Sequence, residues 1–177
     1  MKKGTKSILA VLKVLAIVGG IWYSIRCGSQ LLTFVASFIN LDWAKLTYDA
    51  NPAMFSILEQ STTYYVFAMS LIIVTLALKA LIWYIMYDLL LQLKLQTPFS
   101  IHTEKKLEQI AYLLFAVWLL GSVFRDIYMH YLAKDTGIQL PAGNNADEYL
   151  FIAGIVYIIS QVFKRGIEMQ EENQLTV

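Results

Sequence analysis

Four stretches of the chain are apolar enough, for long enough, to cross a hydrocarbon layer, which takes about 20 helical residues for roughly 30 Å. The first lies between Ile8 and about Phe34 and is interrupted by Lys13 and Arg26. The second runs from about Tyr64 to Tyr87 with Lys79 inside it, and the third covers about Leu107 to Tyr131. The fourth, Tyr149 to Phe163, is the shortest. It rises only about 22 Å as a helix, so Lys164 and Arg165 must lend it length by snorkelling to the head groups. The pattern predicts an all-α integral membrane protein, with four transmembrane helices in a single domain over residues 1–177. No internal repeat, low-complexity tract or linker divides it.

Composition supports the same class. Apolar residues make up 58% of the 177 positions and charged residues 15%, with a mean hydropathy of +0.55, against roughly 45–50% and about 25% in soluble domains. A net charge of +1 gives no support to direct nucleic-acid binding. Cys27 is the only cysteine, and His102 and His130 are the only histidines. A disulfide framework or a Cys/His zinc site within one chain is thereby excluded. Met1 to Lys6 and the apolar run after it also resemble a secretory signal. Arg26 stands directly before Cys27, where a lipoprotein site needs a small residue, so the segment is expected to stay attached.

Orientation follows from the basic residues, which are retained on the cytoplasmic side. Lys2, Lys3, Lys6 and Lys13 precede or open the first span, Lys94, Lys105 and Lys106 lie between the second and third, and Lys164 and Arg165 follow the fourth. The opposite loops carry Lys45 and Lys134, so both termini are expected in the cytoplasm. Two segments then face outward. Gly28 to Thr63, with Phe34, Phe38, Trp43, Tyr48 and Phe55 around Asn51 and Pro52, suggests a re-entrant or interfacial stretch, and Leu132 to Glu148 reads as a loop turned by Pro141, Gly143, Asn144 and Asn145. On the inner side the second helix is expected to continue through Leu95, and the third to begin at the N-cap Ser100 with Glu104 in its first turn. The two should protrude as a cytoplasmic hairpin tipped by Gln96 to Ser100, with Phe99 either exposed or folded back as a staple.

The tip Pro98-Phe99-Ser100 and the closing stretch Phe163 to Val177 resemble the bacterial membrane family catalogued as domain of unknown function 2975. Its members are four-span proteins of this length whose ends run arginine, glycine and then glutamate-asparagine-x-leucine-threonine, here Arg165-Gly166 and Glu172-Asn173-Gln174-Leu175-Thr176. The resemblance implies a multi-pass protein of the bacterial inner membrane, often encoded beside a small Xre-type helix-turn-helix regulator. It brings no catalytic residues. Read by itself, the acidic tail 166–177 opens with Gly166, a residue able to end the fourth helix, yet Ile167, Met169, Leu175 and Val177 keep an apolar side within it. It then lies solvated, packs on Lys105 and Lys106, or presents Glu168, Glu171 and Glu172 to a partner.

Ionisable residues inside spans are the other candidates, since each is costly there. Lys79 is the clearest, with Trp83 offered for a cation-π contact and Gln161, Tyr157 or Thr75 for hydrogen bonds. Arg26 is expected near Asp126. No span carries paired carboxylates, no glycine-rich phosphate loop is present, and the two histidines fall at opposite sides of the membrane, so an enzyme is not expected and no cofactor is implied. The reading reached is a non-enzymatic membrane sensor or sequestering partner of a cytoplasmic protein, such as an Xre-type regulator. The alternative is a small-solute transporter or channel-like homo-oligomer with Lys79 repeated about its axis.

Overall fold

The computed structural model describes residues 3–39, 52–93, 99–138 and 147–175, and the regular elements among them are all helical. In chain order they are α1 (Lys3–Ile39), α2 (Pro52–Gln60), α3 (Thr62–Gln92), α4 (Ile101–Trp118), a π-helical stretch Leu119–Phe124 that continues into α5 (Arg125–Thr136), and α6 (Asp147–Leu175). Four helices are long and apolar enough to cross a membrane: Ser7–Ile39, Thr62–Gln92, Ile101–Thr136 and Asp147–Glu172. The chain is therefore a multi-pass, all-helical membrane protein. In hydrocarbon every backbone N–H and C=O needs a partner within the segment, and a helix supplies one. Thr62–Gln92 contains neither glycine nor proline, and Ser61 caps it by accepting the Tyr64 N–H at 3.5 Å.

Each long helix runs antiparallel to the one it packs on. Trp83 of α3 lies on Gly19 of α1 near one end, and the Ser37 and Tyr65 hydroxyls meet at 2.8 Å near the other. Lys106 of α4 reaches Asp88 of α3 at 2.9 Å. Along α6 and its partner the facing pairs are Phe99 with Phe163, Tyr112 with Tyr157, and Ser122 with Asp147. The start of α1 and the end of α6 consequently share one end of the bundle, here the terminal end; the other is the distal end.

Two layers of core follow. Toward the terminal end, Ala16, Ile82, Leu89, Leu90, Ile110, Leu114, Val117 and Ala153 join α1, α3, α4 and α6. Toward the distal end, Met54, Ile57 and Leu58 of α2 pack with Tyr65, Ala68 and Met69 of α3 and with Tyr128 and Leu132 of α5. Tyr65, Ile57 and Leu132 have no exposed surface. α2 thus occupies part of the stretch expected to be interfacial, and its Phe55 borders this core. The other part is helix, because α1 runs to Ile39 and not only to about Phe34. Trp43, Tyr48 and Asn51, the turn residues Pro141 to Asn145, and Lys94 to Pro98 of the hairpin tip lie outside the described residues.

The helices are staggered. Ser122 donates to the Asp147 carboxylate at 3.3 Å, so α6 begins level with the π-helical stretch. Thr136 lies 14 residues beyond Ser122, and α5 therefore continues roughly 21 Å past that level. α5 carries Arg125, Asp126, His130, Lys134 and Asp135 within its 12 residues. At the terminal end α6 overshoots in the other direction: Gly166 is level with Phe99, and the helix continues nine residues, about 13 Å, to Leu175. Gly166 does not end the fourth helix, and the tail as far as Leu175 is helical. α3 in turn stops at Gln92, short of Leu95.

Candidate functional site

At the terminal end, Ser100 caps α4 by accepting the Thr103 N–H at 3.2 Å, and the two hydroxyls lie 2.9 Å apart. That cap aims the preceding residue, Phe99, at α6. Its ring sits over Gly166 so closely that a Cβ added there would lie 2.7 Å from it, and it tilts against Phe163 at 5.2 Å between centroids. Phe99 is only partly exposed. It is neither an exposed tip nor a staple on its own hairpin, because the missing side chain of Gly166 leaves a seat for it on α6. The two stretches that carry the family resemblance therefore touch, although 67 residues separate Phe99 from Gly166.

Lys106 is also internally engaged. Its Nζ lies 2.9 Å from Asp88, which accepts the Gln92 amide at 2.7 Å and has His102 Nε2 at 3.9 Å. The Lys106 side chain is 25% exposed, so Asp88 and not the acidic tail holds it. Lys105 points out and is exposed. On α6, Glu168 accepts from Arg165 at 2.8 Å, and Glu172 also attracts that guanidinium. Met169, Glu171 and Glu172 are exposed. The candidate partner surface thus divides: Phe99 docks the hairpin on α6 and Lys106 joins the hairpin's two arms, whereas Lys105 and the final turns of α6 face outward.

Farther along the bundle, the Lys79 ammonium lies 4.8 Å from the Tyr149 ring centroid and 5.9 Å from that of Tyr23. The expected partners are occupied elsewhere. Trp83 covers Gly19, Thr75 donates to the Leu71 carbonyl at 2.7 Å, Tyr157 faces Tyr112, and Gln161 lies beside Ser160, 12 residues along α6 from Tyr149. Lys79 projects toward the start of its helix, as side chains on helices do, and this carries the ammonium to the level where α6 begins. Arg26 is not paired with Asp126. It is exposed on α1 within electrostatic reach of Lys79, while Asp126 is exposed on α5. His102 and His130 stand at opposite ends of the bundle. Among the described residues no group of three or more His, Cys, Asp or Glu side chains is placed to hold a metal ion.

Sequence reasoning missed Tyr23 and Tyr149, both supplied by other helices. It also missed the pair Gly19 and Gly20, over which Trp83 and Tyr84 lie. Adjacent small residues in an apolar helix are a recognisable sign of close helix approach. A family model described as "Protein of unknown function (DUF2975)" matches residues 6–177. No curated protein and no solved structure matches the chain.

Proposed function

The chain belongs to the DUF2975 family, and from that premise we propose that it is a non-enzymatic membrane partner of a cytoplasmic protein, a small Xre-type helix-turn-helix regulator. Both termini face the cytoplasm of a bacterial inner membrane in this reading, in line with the excess of basic residues that the sequence carries before the first span, between the second and third, and after the fourth. The observation that carries it is the overshoot of α6. The helix extends about 13 Å beyond Phe99 and presents Met169, Glu171 and Glu172 on a rigid rod. Phe99, wedged on Gly166, sets the direction of that rod and takes no part in contact.

A DNA-binding face is basic, and a projecting acidic helix end attracts it by the same electrostatics that attract phosphates. Capture would silence the regulator by competition. The test uses the full-length protein in nanodiscs and a purified small Xre-type helix-turn-helix protein. Glu168→Lys, Glu171→Lys and Glu172→Lys together should weaken binding at least tenfold at low salt, and the wild-type affinity should fall as salt rises. Affinity that is unchanged by the triple substitution and insensitive to salt would overturn the proposal.

A further inference from the structure

Arg26 and Lys79 stand well away from the charged layer at the terminal end. Lys79 is nine residues from Asp88, and Arg26 is thirteen from Lys13, so at the helical rise they lie about 13 Å and about 20 Å from that layer. Tyr23 and Arg26 share a face of α1 through their i, i+3 spacing. Lys79 stands over the Tyr23 ring and within repulsive range of Arg26. None of the ion pairs among the described residues includes either cation. Two carboxylates open α6: Asp147 accepts from Ser122, and Glu148 is exposed and in none of those ion pairs, while Asp126 is exposed on α5. Two tyrosine faces attract a cation but bring no negative charge, and two like charges drawn together at this depth call for an anion.

Beside this place, Trp22 and Ile25 on α1 and Phe151 on α6 are exposed apolar side chains at the same height. We propose that Arg26 and Lys79 bind the phosphate of an anionic phospholipid head group, drawn in beside the start of α6. Its acyl chains lie along these exposed residues. A guanidinium fork and a point-charge ammonium together suit a phosphodiester. Tyr23 and Tyr149 hold the ammonium in place.

The test is native mass spectrometry of the full-length protein in detergent, titrated with phosphatidylglycerol, with dioleoylglycerol, which lacks the phosphate, or with inorganic phosphate. Wild type should retain one phosphatidylglycerol per chain in a saturable manner and should not retain dioleoylglycerol. Arg26→Gln and Lys79→Met should each weaken retention about tenfold, the loss expected for one charge-assisted contact, and Lys79→Arg should preserve it. Arg26 is an exposed side chain, so Arg26→Gln remains decisive should Lys79→Met fail to fold. Equal retention of dioleoylglycerol, or an Arg26→Gln variant that retains phosphatidylglycerol as the wild type does, overturns the proposal. Displacement of the lipid by millimolar inorganic phosphate overturns the lipid as the source of the phosphate.

Discussion

Two glycines, Gly19 and Gly166, hold aromatic rings where any Cβ would collide: 2.6 Å from Trp83 at the first and 2.7 Å from Phe99 at the second. Overpacking of this kind costs about 1–3 kcal/mol. Gly19→Ala and Gly166→Ala should each lower the thermal unfolding midpoint in detergent. Gly28→Ala and Gly154→Ala, where an added Cβ meets nothing within 4 Å, should leave it unchanged or raise it, since alanine in a helix gains up to about 1 kcal/mol over glycine. Combining Gly166→Ala with Phe99→Ala should cost less than the sum of the single changes, because the second removes the ring that the first strikes. Asp88 gathers Lys106, Gln92 and His102, yet the carboxylate and the ammonium both keep contact with solvent. Asp88→Asn is therefore expected to lower stability only slightly, and a large loss in denaturant titration would mark the cluster as more than a surface bracket.

The π-helical stretch Leu119–Phe124 sits where the third long helix changes neighbours, from α6 along α4 to α2 and α3 along α5. A π-helical turn already holds one residue more than an α-turn, and one further residue turns everything after it by about 100°. Inserting an alanine after Phe124 should swing Tyr128 and Leu132 out of the distal core, along with the hydrogen bonds from Tyr128 to the Tyr64 carbonyl at 2.6 Å and from Tyr64 to Asp135. Loss of two buried side chains costs several kcal/mol, so the insertion is expected to expose α2 and α5 to protease while α1, α4 and α6 stay protected. The position and number of the four spans were legible in the sequence, because apolar run length depends on local composition alone. Contacts between distant residues were not. Gly166 reads as a helix stop until Phe99 is seen lying on it, and Lys79 invites a partner at i+4 although its rings come from α1 and α6. Helix ends failed for the same reason: α6 gains its last turns beyond a glycine whose vacancy is filled from another element.

For the molecule as a whole, the antiparallel order of the long helices puts the start of α1 and the end of α6 at one end, and the proposed function requires that end to face the cytoplasm. A reporter active only outside the membrane should stay silent when fused at residue 177 and become active when inserted after Asn144; activity at residue 177 would reverse the orientation. The stagger has a consequence for the surrounding lipid. The wall beside α6, Asp147–Glu172, rises about 39 Å, whereas the wall beside α1, Ser7–Ile39, rises about 50 Å. No flat bilayer matches both sides at one tilt, so hydrophobic mismatch is built in, and α1 must tilt more than α6. In a series of nanodiscs of increasing acyl-chain length, stability should pass through a maximum set by the shorter wall, making this protein responsive to membrane thickness.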